Sequence, residues 1–247
     1  MIDKIKFKGI FFKNFQSKDF KKIIKKKGLF LFPSGPGLSS IEKEIPYLKA
    51  LKNADYNFFD SGYFVLLLKY FKKINVNKFS GYLFIKLFLE YIKKNNNKKL
   101  FLVDPNIRLS VSNTKLFNKI GVIKKNINNY IAPQYNSKTI SDRKLLNIIK
   151  KIKPEYILLN IGGGTQEILG LYLKNNIHFK CTIICSGAAI SFFTGDQAPM
   201  NVFFDKIYLG WLIRIIFNPR VFLPRYLKSI KLIHIVLNNK IKIFKSK

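Results

Sequence analysis

Three loops hold the residues whose types could carry chemistry. They are Pro33-Ser34-Gly35-Pro36-Gly37, Asp60-Ser61-Gly62 and Gly162-Gly163-Gly164-Thr165-Gln166-Glu167. Each follows a short apolar run, so each is expected at the end of a strand. Asp60 is the candidate general base. A carboxylate on the floor of a cleft loses water, and desolvation lifts its pKa toward a useful range. An Asp just before an apolar helical pattern is also a common helix cap, and taken by itself the residue favours the cap. Gly162, Gly163 and Gly164 could let backbone N–H groups approach a phosphate at a helix N-terminus. They could equally serve only close packing at a tight turn. Gln166 cannot transfer protons usefully, but its amide can orient a hydroxyl or a phosphate.

A fourth group is basic. Arg214, Arg220 and Arg225 stand close together, with Lys228 and Lys231 after them. Lys and Asn are abundant everywhere in the chain, whereas Arg is scarce. A cluster of Arg in such a background suggests a need for the planar fork that grips phosphate bidentately. The other reading is a solvated face. The apolar residues of 227–237, interleaved with Lys, suit a helix lying on an anionic membrane; they suit a last helix packed on the domain as well.

Apolar periodicity and turn residues mark the elements that must position these residues. Strands are predicted over residues 5–12, 29–32, 54–59, 100–103, 130–132, 156–161 and 181–185. Helices are predicted over 19–26, 41–51, 64–71, 77–94, 141–152 and 208–217, from Asn113, and from Gln166. Residues 33–40 read as a loop and 226–244 as a basic apolar segment. Alternating strands and helices favour a mostly parallel sheet covered on both faces. In such a sheet the strand ends gather on one edge, where ligands bind. The expected organisation is an α/β domain over residues 1–217 and a basic C-terminal helical appendage over 218–247.

Composition sets the bounds. The chain has 247 residues, 48% of them hydrophobic and 15% aromatic, enough for a sizeable core. The net charge of +32 attracts polyanions or an anionic bilayer. A basic nucleic-acid-binding α/β protein is therefore the alternative reading. It predicts exposed aromatics among basic residues and steep salt dependence, yet no RNA-recognition motif is present and the aromatics occupy apolar-face positions. A nucleotide-dependent methyltransferase or dehydrogenase is disfavoured by the missing G-x-G-x-x-G. Cys181 and Cys185 read as buried, reduced thiols, and the isolated His178 and His234 show no metal-ligand spacing. There is no apolar signal core after Met1 and no run of about 18 apolar residues. A cytosolic or membrane-surface protein is expected.

The order of these segments resembles the WecG/TagA/CpsF family of bacterial glycosyltransferases. The similarity is carried by Asp60-Ser-Gly62, by Gly162-Gly-Gly-Thr-Gln-Glu167, by residues 187–199 ending in Gln197-Ala-Pro199, by Leu209-Gly-Trp-Leu-Ile-Arg214, and by the Asn-Pro-Arg and Pro-Arg-Tyr that follow. The resemblance implies a Rossmann-like fold that moves a sugar, such as an N-acetylmannosamine-type hexose, from a UDP-sugar. The implied acceptor is a polyprenyl-diphosphate-linked saccharide at the cytoplasmic membrane face, in cell-surface polysaccharide biosynthesis. It implies no metal and no cofactor, an anionic membrane surface as partner, no nucleic acid, and room for a homo-oligomer. It assigns Asp60 as base and Gln166, with Glu167 and Gly162 to Gly164, to the sugar-nucleotide site. Arg214, Arg220 and Arg225 would hold a diphosphate. The chain departs from the family pattern at Ser34, which stands where a Thr-x-Asn element is usual, at Ser61, and at Gln197.

Overall fold

The computed structural model describes residues 2–136, 139–197 and 199–245. Ala198, inside the quoted Gln197-Ala-Pro199, and residues 246 and 247 of the tail lie outside the described residues. The strands are β1 (Ile2–Phe7), β2 (Ile10–Lys13), β3 (Gly28–Leu31), β4 (Tyr56–Asn57), β5 (Leu100–Asp104), β6 (Ile127–Ile131), β7 (Tyr156–Leu159), β8 (Thr182–Cys185) and β9 (Ile241–Lys245). The helices are α1 (Phe20–Ile23), α2 (Gly35–Ser39), α3 (Ile45–Asn53), α4 (Gly62–Lys72), α5 (Gly81–Lys93), α6 (Ile107–Lys119), α7 (Arg143–Ile152), α8 (Thr165–Asn176), α9 (Ser191–Thr194), α10 (Val202–Lys206), α11 (Gly210–Phe217), α12 (Pro219–Lys228) and α13 (Lys231–Asn238).

The strands form one nine-stranded sheet in the order β6-β5-β7-β8-β3-β4-β2-β1-β9. Pairing is parallel from β6 through to β2, and β1 runs antiparallel to both β2 and β9. The fold is thus α/β and Rossmann-like, as expected. Its central strands are apolar on both faces. Leu29, Leu31, Ile157, Leu159 and Ile183 join one core cluster, with residues of α3, α4, α7, α8 and α13. Their sequence neighbours Phe30, Leu158 and Ile184 join the other, with residues of α1, α5 and α6. That alternation follows from the two-residue period of a strand, and burial on both faces is typical of parallel sheets. Each fully buried Phe or Leu contributes roughly 1.5–3 kcal/mol.

Four expectations change. The strand expected over 5–12 is a hairpin. Lys8 (φ 50°) and Gly9 (φ 82°) both adopt left-handed backbone, which closes a two-residue turn between β1 and β2. Residues 35–39 form a helix rather than a loop, because Ser34 caps it: its Oγ accepts from Gly37 N at 3.3 Å. Asn106, not Asn113, opens α6. The tail, expected to be helical to its end, closes in β9 on the sheet edge beside β1. Its Ile241-Lys242-Ile243 alternation is a strand pattern that the preceding apolar run obscures. The helix before it, α13, buries Leu232, Ile235 and Val236 in the first core cluster.

Candidate active site

The end of β4 is pinned from both sides. Phe58 packs in one core cluster and Phe59 in the other. Asp60 follows directly, at the carboxyl edge of the sheet. It does not cap α4. Ser61 does, accepting from Phe64 N at 3.2 Å. The Asp60 Oδ1 instead accepts from Gly81 N at 2.8 Å, at the first residue of α5. A helix N-terminus therefore faces this carboxylate. Burial pushes the Asp60 pKa up to about 6, against the Gly81 N–H and the charges of Lys78 and Arg214, with Asp205 pushing it further up. A partly exposed carboxylate tuned to this range can take a proton from a hydroxyl near neutral pH.

On the far side of β8 and β3 lies the glycine turn after β7. Gly162 (φ 99°) and Gly164 (φ 93°) both need left-handed backbone. A Cβ added at Gly162, Gly163 or Gly164 would meet nothing within 4 Å. These glycines therefore do not serve close packing. They shape an open rim with free space above it. Close packing falls instead to Gly170, where a Cβ would lie 2.8 Å from Leu29 Cδ1 and 2.9 Å from Cys185 Sγ, so α8 presses onto β3 and β8 there.

Gln166 and Glu167 open α8, yet both are buried, at 3% and 1% exposure. Glu167 Oε2 accepts from Gly164 N at 2.6 Å. Gln166 Nε2 donates to Glu167 Oε1 at 3.0 Å and to the Cys185 carbonyl at 3.1 Å. Burial raises the Glu167 pKa to about 7; the bonds from Gln166 and the Gly164 N–H oppose it and Asp60 adds to it. Tyr47, buried nearby, has its pKa pushed up by burial and by the fields of both Glu167 and Asp60. The two carboxylates thus share one neighbourhood, although their strands stand two places either side of the β8–β3 pair's midline.

Ser34 lies at the end of β3 as the cap of α2, beside this edge; a Cβ on its neighbour Gly35 would stand 3.1 Å from Ser61 Oγ. Of the three arginines, Arg214 comes to the site. Its guanidinium sits 4.9 Å from the Phe192 ring centre and 5.8 Å from that of Phe222, and its charge is felt at Asp60. Arg225 lies 5.9 Å from the same Phe222 ring and is exposed. Arg220 is exposed on α12.

Sequence reasoning missed the group that fastens this segment. Asp205 of α10 takes Lys78 Nζ in an ion pair and Ser80 Oγ at 2.7 Å, while Lys78 also donates to the Asp205 carbonyl. Ser80 is the cap of α5. The chain that carries Arg214 is therefore tied to the helix whose N–H holds Asp60. The Tyr208 ring adds a contact, since a Cβ on Gly62 would lie 2.6 Å from its Cδ1. No local motif marks a pair separated by more than a hundred residues. Asp205→Ala is expected to strand a largely buried Lys78, with a loss of about 3–5 kcal/mol. Thermal unfolding should shift down, and trypsin should cut after Lys206 and Arg214 faster than in the parent. Unchanged melting and cleavage would remove the fastening role.

A second polar group sits under the opposite end of the edge. Asp104, at the end of β5 and fully buried, accepts from Asn113 at 2.7 Å and from Asn160 at 2.8 Å through Oδ1. Burial raises its pKa and the amide donors oppose the rise. From β5 the chain winds outward to β6, and from β7 it winds the other way to β8. The crevice between β5 and β7 is thus a switch point, the usual ligand position in open α/β sheets. A cavity of about 350 Å³ opens there, lined by Pro105, Ala132, Pro133, Gln134, Tyr135, Ile161 and Thr165. Arg108 and Asp196 meet at 3.5 Å across α6 and the loop after α9. Among the described residues no three His, Cys, Asp or Glu gather as metal ligands.

The chain has no significant match among curated proteins. The family model described as glycosyl transferase WecG/TagA/CpsF family matches residues 5–246, nearly the whole chain. That span takes in Asp60, the glycine turn, Gln166 and Arg214 alike, so the fold and the edge described above are matched together. The chain belongs to the WecG/TagA/CpsF family of glycosyltransferases.

Proposed function

We propose that the protein transfers a hexose, of the N-acetylmannosamine type, from a UDP-sugar to a polyprenyl-diphosphate-linked saccharide in cell-surface polysaccharide assembly. The observation that carries this reading is the meeting of Asp60, Arg214 and the Gln166–Glu167 pair at one sheet edge, beside an open glycine rim. In this reading the nucleoside occupies the crevice between β5 and β7, and the sugar extends over β8 and β3 toward Asp60. Asp60 takes the proton of the acceptor hydroxyl. The acceptor oxygen bonds to the anomeric carbon, and the bond from that carbon to the UDP oxygen breaks. UDP leaves with the electron pair. Its growing charge is met by Arg214 and by N–H groups of the rim, which act strongly in a desolvated site.

The acceptor's lipid asks for a membrane surface. No helix among the described residues is long and apolar enough to cross a membrane. Helices α11 and α12 bury none of their residues. Trp211, Ile216, Phe217, Leu223 and Leu227 are exposed there, among Arg220, Arg225 and Lys228. An exposed apolar face edged with cations fits the surface of an anionic bilayer.

The test is transfer itself. Purified protein is given UDP-N-acetylmannosamine, UDP-N-acetylglucosamine or UDP-glucose and a polyprenyl-diphosphate sugar, in vesicles with or without phosphatidylglycerol. Transfer from at least one donor is expected, faster on the anionic vesicles and slowed by salt on them. No transfer from any donor would sink the enzymatic reading. Equal binding and rates on neutral and anionic vesicles would sink the membrane reading alone.

A further inference from the structure

We infer that the solvent face of β2, β1 and β9 docks on the headgroups of an anionic bilayer, through Lys4, Lys6, Lys13 and Lys242 set around Phe11 and Phe244. This surface is separate from α11 and α12, and its docking rests on no step of the transfer reaction proposed above. Alternation divides the three strands. Ile5, Phe7, Ile10 and Phe12 are fully buried on one face. The other face carries the lysines, and the pairing aligns them. Lys4 stands directly opposite Lys13, and Lys6 directly opposite Lys242. Like charges so paired are destabilising. Among the described residues none of the four has an acidic partner in an ion pair. Burial, Lys26 and Lys4 lower the Lys13 pKa, against Asp3 and Asp55. A surplus of Lys explains a basic surface but not its order. Lys4 Nζ lies 5.3 Å from the Phe11 ring centre and 5.2 Å from that of Phe244, and Lys6 Nζ lies 5.0 Å from that of Phe11. The two ring centres stand 5.8 Å apart, and the residues remain 37% and 36% exposed. The rings hold the ammonium groups in one layer. The repulsion within that layer is relieved when anions settle over it.

The anions belong to a surface rather than to a nucleic-acid strand. Single strands bind through bases stacked on free ring faces, and here the ammonium groups of Lys4 and Lys6 already lie over the rings. A pleated face sets its charges in a plane, about 5 Å apart across strands and about 7 Å along them. Headgroups also lie in a plane. Lysine stems can follow the apolar rings while their charges reach the phosphates. Each lysine near an anionic surface strengthens binding about fivefold. Position agrees. Lys13 ends β2, which pairs in parallel with β4, the strand leading to Asp60. The edge continues through Asn14, whose Oδ1 accepts from Asn77 N at 2.7 Å, to Lys78 and its ion pair with Asp205. A bilayer on this face therefore borders the edge that carries Asp60 and the start of the segment bearing α11 and α12.

The test is co-sedimentation of the full chain with phosphatidylcholine vesicles, with and without phosphatidylglycerol. The parent is compared with Lys4→Gln/Lys6→Gln and with Lys4→Arg/Lys6→Arg, folding being checked by thermal melting. Lys150→Gln/Lys151→Gln removes the same charge from exposed positions of α7, which packs on the other face of the sheet, and serves as control. The glutamine pair should weaken binding to the anionic vesicles by about 30-fold, and the loss should shrink as salt rises. The arginine pair and the control should stay within about threefold of the parent. If the glutamine pair disturbs the hairpin, Lys242→Gln on the edge strand gives the same reading at one charge, about fivefold. A loss in the control as large as in the glutamine pair would trace binding to net charge and overturn the inference. Undiminished binding of the glutamine pair would overturn it as well and leave the bilayer to α11 and α12. So would tighter binding to poly(U) than to anionic vesicles, lost in the glutamine pair, which gives the face to nucleic acid. A parent that ignores anionic vesicles fails this inference and the membrane reading of α11 and α12 together.

Discussion

Asp60→Asn is expected to lose most of the transfer activity while making the protein harder to unfold above pH 6. Asn keeps the oxygen that accepts from Gly81 N, so the end of β4 should stay in place. It cannot take a proton, and removing a positioned base typically costs 10²–10⁴ in rate. The gain in stability comes from the same burial. The folded carboxyl titrates near 6 instead of 3.8, a cost to the ionised fold of at most about 3 kcal/mol. The sign follows from proton counting. Between roughly pH 4 and pH 6 the folded state still holds a proton that the unfolded chain has released. Stability therefore falls as pH rises through that window, and the Asn variant does not share the fall. At pH 8 it should melt several degrees above the parent, and at pH 4 the two should coincide. In the parent, kcat/KM should rise with pH through about 6 as the base is freed. A variant that keeps its activity, or a parent profile flat from pH 5 to 8, would take the base role from Asp60. A stability gain that does not depend on pH would mean that its charge is not what burial penalises.

The sheet was legible because its signals are local. Apolar runs of four to six residues, closed by Pro33, Asp104, Gly162 or the Ser186-Gly187 pair, mark β3, β5, β7 and β8 as strands buried on both faces. The strand-end loops followed once the alternation with helices implied parallel strands. What stayed hidden depended on partners far away. Asp60 and Ser61 are adjacent, and either could cap α4; only the fold shows Ser61 taking that place while Gly81 claims Asp60. The three glycines were compatible with packing or with an open rim, and it is the empty space around them that separates the two. Gln166 and Glu167 look like ordinary first-turn residues of a surface helix. Their burial comes from Cys185 and Gly187 on the next strand and its loop. Lys78, Ser80 and Asp205 meet only because α10 folds back over the start of α5. Of the arginines, spacing in sequence put all three in one cluster. The helical turn and the Phe192 and Phe222 rings select Arg214 for the edge and leave Arg220 exposed.

Arg214 is therefore the residue on which the leaving-group half of the proposed mechanism can be tested. Its placement is unusual for the charge-stabilising role proposed for it. Its helix buries nothing, so the side chain is oriented by two aromatic rings rather than by a packed core. Ring stacking suits the flat guanidinium and suits an ammonium less. Arg214→Ala should leave melting almost unchanged, because no core contact is lost. It should lower kcat/KM by about 10²–10³, the cost of removing one preorganised donor at a developing charge. Arg214→Lys should recover only part of that, since it restores charge without the planar fork. A second readout separates proximity from folding. The Arg214 charge holds the Asp60 pKa down, against burial. Without it the acidic limb of the pH–rate profile should move above 6 in Arg214→Ala and stay closer to its parent position in Arg214→Lys. A limb that does not move in either variant would separate Arg214 from Asp60. Full activity in Arg214→Ala would leave the departing diphosphate to the glycine rim alone.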